Sequence, residues 1–321
     1  MPRFTRRQFF AAGLAASTFP QLACAQTSKA NLTPLKRAMA QGRFVTYQPT
    51  ALKAVNGILS PASEDSIRAD LAVLRPYFDS LITYGALSGN ERVPDIAASL
   101  GFRAVIVGVW DVNDPQEVEN ALAAWKRNQG VVVGITLGNE VMLGKRGAWG
   151  DLSHALDNLR AQAPALPLTT TESFAQFLDD ADALSVMTRM DFMLVNIHPV
   201  FESWFKTAPA FNRADFVGQQ VERLAKIYRG PILVKETGTP TGPASEGFSE
   251  DMQAAFYRML EKRLPRSAMR AFSYFSAFDA PWRVSDFTPT PGVHLEEAYW
   301  GIFTDDRRPK KIMSGIPPFP R

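Results

Sequence analysis

The chain has 321 residues, 46% apolar and 21% charged, a composition that suits one large globular domain with a proper core. Its formal charge of +3 (35 Lys and Arg against 32 Asp and Glu) matches the three arginines Arg3, Arg6 and Arg7; the remaining charges balance, so net charge gives no support to a nucleic-acid partner. No low-complexity tract or solenoid-length repeat is present, and beyond the N-terminal segment no apolar run approaches the ~18 residues that span a bilayer.

Residues 1–25 read as a targeting segment rather than as part of a fold. Thr5-Arg6-Arg7-Gln8-Phe9-Phe10 is followed by a short apolar stretch and by Ala23-Cys24-Ala25, the order of a twin-arginine export signal with its cleavage site. Such a signal is an address and not an anchor, so the mature chain is expected in the periplasm or medium of a bacterial cell, without a stable membrane anchor. Gln21-Leu22-Ala23-Cys24 is a poor lipoprotein box. Cys24 is the one cysteine, so cleavage after Ala25 leaves neither disulfides nor thiol chemistry. Residues 26–42 are assigned to an N-terminal extension.

From there strand-like and helix-like segments alternate. Strands are expected at Phe44–Gln48, Ser80–Tyr84, Ala104–Val109, Val131–Gly138, Leu168–Thr171, Phe192–Ile197, Ile232–Lys235 and Ala271–Phe275. Amphipathic helices are expected at Ser63–Arg75, Val93–Leu100, Pro115–Asn128, Leu152–Ala163, Phe174–Met187, Asp215–Tyr228 and Ser249–Arg263. Asp114-Pro115 supplies a cap and a first-turn proline, and Gly101 and Gly130 follow helix ends. Eight strand–helix units predict a single α/β domain, a (β/α)8 TIM barrel over residues 43–312, with 313–321 as a C-terminal tail. An open doubly wound sheet is the runner-up, weakened because no Gly-rich turn follows the first strand.

Two glutamates carry the functional reading. Glu140 follows the fourth strand and Glu236 the seventh. In a barrel both strand ends open into one mouth, where reactions are run. A single Glu in such a place is usually a solvated loop residue or half of an ion pair. Two together can divide the work of glycosidic cleavage, one giving a proton to the departing oxygen and the other, ionised, attacking or stabilising the anomeric centre. Asn139 beside Glu140 is a candidate for a sugar hydroxyl. Asn196 and His198, at the sixth strand end and on one face of it, are candidates for hydroxyls or for the nucleophile. Tyr84, Trp110 and Trp282, after strands two, three and eight, are candidate stacking rings for the apolar face of a sugar. Glu172 is a third carboxylate near the mouth, read as a positioning or ion-pair residue. Alternation along the strand aims Lys235 away from Glu236; were the two side chains to meet, the cation would lower the carboxyl pKa. The three histidines, His154, His198 and His294, lack ligand spacing, so no metal or other cofactor is implied.

Five segments together resemble glycoside hydrolase family 17, which contains β-1,3-glucanases and related transglycosylases. They are Leu137-Gly-Asn-Glu-Val141, Val195-Asn-Ile-His-Pro-Val-Phe201, Val234-Lys-Glu-Thr-Gly-Thr-Pro240, Phe275-Ser-Ala-Phe-Asp-Ala-Pro-Trp-Arg283 and Glu297-Ala-Tyr-Trp-Gly-Ile-Phe303. The resemblance runs from about Phe44 to Lys310. It implies a (β/α)8 barrel and a retaining mechanism on β-glucan, with Glu140 matching the acid/base and Glu236 the nucleophile. The chain departs from the family pattern at Thr239, where Trp is usual, at Ser276 and Ala280, where Glu is usual, and at Lys235, where Ser is common. Transglycosylation with the same pair is one alternative. A non-catalytic periplasmic glucan-binding protein is another, suggested by the missing acids at 276 and 280. The expected partner is a polysaccharide or oligosaccharide, and the expected state a monomer.

Overall fold

Near-continuous apolar, β-branched runs make strands that can be buried on both faces. In the computed structural model, which describes residues 30–55, 58–286 and 294–320, eight such runs close into one barrel. The expected export signal, with Arg6, Arg7 and Cys24, lies outside the described residues. The strands are β1 (Phe44–Thr46), β2 (Ser80–Ile82), β3 (Ala104–Val109), β4 (Val132–Asn139), β5 (Leu168–Ser173), β6 (Met193–Asn196), β7 (Ile232–Glu236) and β8 (Arg270–Tyr274). Each pairs in parallel with its sequence neighbours, and β1 closes the ring against β8. Among the described residues no helix is long and apolar enough to cross a membrane.

Two helices are absent from the sequence reading, the four-residue Arg283–Asp286 and α1 (Thr33–Gln41), the latter within the stretch assigned to an extension. Leu35, Ala38 and Met39 lie at helical spacing and are fully buried. They pack in one cluster with Phe44, Ile106, Val133, Phe192, Leu233 and Ala271 from the barrel interior. Several of these begin their strands, so α1 plugs the floor, at the end opposite the catalytic mouth. The outer helices are α2 (Glu64–Leu74), α3 (Val93–Ser99), α4 (Pro115–Arg127), α5 (Trp149–Gln162), α6 (Phe174–Asp179), α7 (Leu184–Met187), α8 (Ala210–Ile227), α9 (Glu250–Arg263) and the short α10 (Arg283–Asp286). The single helix expected over Phe174–Met187 is broken at Asp180, whose extended backbone and side-chain acceptor for Asp182 N–H cap a new turn. Lys53–Val55 and Ile58–Ser60 pair antiparallel in a small two-stranded sheet separate from the barrel sheet.

The C-terminal segment is tied to the barrel by ion pairs. Arg307 reaches the buried Asp70 at 2.7 Å, and Asp70 also accepts hydrogen bonds from Tyr47 and Thr50. Lys310 meets Asp279 at 2.7 Å. Met313 and Ile316, assigned from sequence to the tail, are buried.

If α1 is a structural plug, Leu35→Ala should lower unfolding free energy by about 2–5 kcal/mol, since it empties a fully buried site. Urea denaturation measures the loss. Turnover per folded molecule should be unchanged, because the floor is remote from the mouth.

Candidate active site

A regular strand sends neighbouring side chains to opposite faces. At the ends of β4 and β7 that rule is broken twice. On β4, Thr136 pairs with Thr169, but Asn139 pairs with Thr171, so three steps on one strand match two on the other. Gly138 takes up the extra residue at φ +79, a conformation glycine adopts freely. Thr171 shares a face with Thr136, their hydroxyls 2.9 Å apart. Asn139, opposite Thr171, therefore turns to the barrel interior. On β7, Val234 pairs with Val195, but the next pairing is Glu236 with Asn196, which leaves Lys235 as the extra residue. Leu233 lies in the interior cluster and Val234 in the outer one, so Lys235 faces in by alternation, and the bulge brings Glu236 in beside it.

The expectation that Lys235 points away from Glu236 is thus overturned. Its Nζ is 3.9 Å from Glu236 Oε1, donates to Asn139 Oδ1 at 2.7 Å and lies 4.3 Å from the centroid of the Tyr84 ring. The side chain is fully buried. Burial pulls the Lys235 pKa down to about 8, against the charges of Glu236 and Glu140, which raise it.

Glu236 is 6% exposed. Its Oε2 sits 3.2 Å from His198 Nε2. An ionised carboxylate can only accept, so Nε2 carries the hydrogen of this bond. Phe201, Phe275 and Trp300 hold the imidazole edge-on at 5.7, 5.5 and 5.4 Å between centroids. Burial alone would push the Glu236 carboxyl up. The His198 hydrogen bond and the Lys235 charge outweigh it and hold the group well below the ordinary carboxylate range.

Glu140 sits at φ +51, a left-handed conformation uncommon for a residue with a side chain. Its N–H donates to Thr171 O and its C=O accepts from Gly144 N–H, both at 2.8 Å. Asn196 Nδ2 donates to Glu140 Oε1 at 3.2 Å. Asn196 is the register partner of Glu236, so one amide spans from the Glu236 strand pair to the Glu140 carboxyl. Beneath the turn, Glu172 Oε1 accepts the Met142 N–H at 2.9 Å. Burial pushes the Glu172 pKa up to about 8; the Glu140 charge adds to this, and backbone N–H groups of 141–143 pull against it.

Of the candidates read from sequence, Glu140, Glu236, Asn139, Asn196, His198 and Tyr84 come together around this centre. Tyr84 presents one ring face to Lys235. Trp282 lines an adjoining cavity of about 180 Å³ with Tyr84, Ser276, Asp279 and Arg283. The Trp110 ring has the Arg146 guanidinium 4.4 Å from its centroid. Arg146 also donates to Asn139 O and was not anticipated; its loop, Gly144-Lys-Arg-Gly147, carries no sequence signal. Among the described residues no group of three or more His, Cys, Asp or Glu is placed to hold a metal ion.

Residues 45–301, which include both glutamates and their supports, match the model of the BtgE/BtgC glycoside hydrolase domain. The chain belongs to this glycoside hydrolase family. A glucan 1,3-β-glucosidase of Arthroderma benhamiae is 27% identical over 301 residues, covering 87% of this chain and 95% of that protein. A putative glucan endo-1,3-β-glucosidase of Aspergillus niger is 23% identical over 83% of this chain, which spans 42% of that longer protein. Among solved structures, a family 17 β-1,3-glucanosyltransferase from Rhizomucor miehei matches with TM-score 0.63 at 20% identity, covering 84% of this chain and 95% of that one. An endo-laminarinase from Formosa matches with TM-score 0.67 at 19% identity, over 84% and 85% of the two chains. At these identities the solved structures speak for the barrel fold.

The Glu172 carboxyl keeps its proton to about pH 8 when folded, against an ordinary value of 4.5. The unfolded chain therefore binds fewer protons between these values, and this group's contribution to stability falls as pH rises through the window. Glu172→Gln keeps the acceptor for Met142 N–H and cannot ionise. Relative to wild type, its unfolding free energy should rise by on the order of 4 kcal/mol between pH 4.5 and 8. Urea titrations across that range test this.

Proposed function

We propose that this glycoside hydrolase acts on β-1,3-linked glucan by a retaining mechanism, with Glu236 as nucleophile and Glu140 as acid/base. The observation that carries the assignment is the unequal setting of the two carboxyls. Glu236 faces an ammonium and an imidazole N–H, which favour its charged form. Glu140 accepts from the neutral Asn196 amide. Two carboxyls in different surroundings can take different protonation states, as acetal cleavage requires. β-1,3-Linkage is supported by the activities of the relatives and by the family 17 resemblance.

In the first step Glu236 attacks the anomeric carbon while Glu140 gives its proton to the departing glycosidic oxygen. The bond to the leaving sugar breaks and a glycosyl ester to Glu236 forms. Glu140, now ionised, removes a proton from the incoming hydroxyl, which displaces Glu236. Water as that hydroxyl gives hydrolysis; a sugar gives a longer glucan. The scheme needs no carboxylate at position 276 or 280, where Ser276 Oγ instead donates to Phe278 O at 3.0 Å. Export through the Arg6-Arg7 signal belongs to the same proposal and would place the enzyme where polymeric glucan is met. Replacing both arginines by lysine should hold the protein in the cytoplasm on cell fractionation.

Glu236→Ala should lower turnover on laminari-oligosaccharides by at least about three orders of magnitude without unfolding the chain. Glu140→Ala should be similarly poor on these but much less impaired in glycosylation by an aryl glycoside whose leaving group needs no proton. Proton NMR of the first product should show the β-anomer. An α-anomer, or near wild-type activity of Glu236→Ala, rejects the mechanism; sizing the products separates hydrolysis from transfer.

A further inference from the structure

Lys235 is an expensive residue to place where it is. An ammonium removed from water costs stability unless it is paired and hydrogen-bonded, and an apolar side chain of similar length would fill the same space at lower cost. Its nearest partner is not a carboxylate but the Asn139 amide, at 2.7 Å. An ammonium has three donors and no acceptor, so the atom it meets must be Oδ1. That fixes the amide's orientation by chemistry. Nδ2 is then left over, and among the described residues it makes no hydrogen bond to the protein. Asn139 lies immediately before Glu140, its backbone C=O held by Arg146. A rigid amide with a free N–H pair at the mouth is a ready donor to a sugar hydroxyl.

We propose that Lys235 is a positioning residue for the glycosidic reaction, holding the Asn139 amide with Nδ2 towards the sugar while its charge favours the ionised form of Glu236. This rests on the assignment of Glu236 as nucleophile. The groups that face the ammonium are Glu236 from β7, Glu140 from the turn after β4, Glu172 from β5, Arg283 from α10 and Tyr84 from the loop after β2, with His198 acting through Glu236. Loss of the proton removes both effects at once. A neutral amine accepts as well as donates, so the Asn139 amide is no longer held one way, and Glu236 loses a nearby positive charge. The geometry therefore couples substrate orientation to alkaline pH, in the region of the lowered Lys235 pKa of about 8.

The experiment compares wild type with Lys235→Met, Lys235→Gln, Asn139→Ala, Glu172→Gln, Glu236→Ala and the double variant Lys235→Met/Asn139→Ala. Each is assayed from pH 5 to 10 on an aryl glycoside whose leaving group needs no proton, so that the Glu140 acid does not set the alkaline limb, and unfolded in urea. Wild type should lose kcat/KM on an alkaline limb near pH 8, and Glu172→Gln should keep that limb. Lys235→Met should lose it, with kcat down about 10- to 100-fold at pH 6, a smaller change in KM and a higher urea midpoint. Lys235→Gln, which can still donate to Oδ1, should recover part of the kcat without the limb, and serves if the Met variant does not fold. The double variant should lose less than the product of the two single losses, because each single variant already removes the hold on the Asn139 amide, while it stays below Asn139→Ala by the charge effect on Glu236. Independent losses, a limb unchanged in both Lys235 variants, or a lower urea midpoint for both with kcat intact would overturn the proposal. If Glu236→Ala remains active, the assignment of the pair fails instead.

Discussion

Three ionisable side chains, Lys235, Glu172 and Glu236, are buried at the barrel mouth, and the site follows from how charge is shared out around them. Glu140, Glu172 and Glu236 converge with Lys235, Arg146 and Arg283 in a region where like charges repel strongly and lone charges are costly. One carboxyl, Glu236, is given an ammonium and an imidazole and stays ionised. Another, Glu172, is buried under a turn and keeps its proton well above the usual range. Glu140 stands between them, electrostatically linked to Glu172 and bonded to a neutral amide. The division of labour that acetal cleavage needs is thus a property of surroundings, since the three side chains are chemically alike.

Much of this was legible in the sequence because barrels obey simple periodic rules. Continuous apolar runs of strand length, each followed by an amphipathic stretch, located all eight strands to within a few residues. Strand counting then put Glu140 and Glu236 in one mouth without any side-chain geometry. His198 beside Asn196 followed from a period of two and a strand end. Helix α1 did not, although its Leu35, Ala38 and Met39 have helical spacing. Nine residues ahead of the first strand look like an extension until the interior they cover is known. The break at Asp180 was equally hidden, since capping competes with helix continuation only when the next turn forms.

The misreading of Lys235 is more instructive. Alternation was the right rule and did place Lys235 and Glu236 on opposite faces of an unbroken strand. It failed because β7 carries one residue more than its partner at that point. Periodicity cannot announce such a bulge, which costs pairing locally and is held by contacts from other strands. Position 138, glycine at positive φ, is the nearest thing to a signal on β4, and β7 has none. Arg146 was invisible for a related reason: its partners, Trp110 and the Asn139 carbonyl, are close only after the barrel closes.

The two extra residues also make the barrel's chemistry depend on counting as much as on composition. Exchanging a side chain near the mouth alters one contact. Removing Val234 would restore an even pleat and turn the Lys235 ammonium out to the helical layer while the attacking carboxyl stays inside, with every remaining residue type unchanged. Variation in this lineage should therefore tolerate replacements in the last strand turns far more readily than gaps, and loop length should drift freely only beyond Glu140 and Glu236.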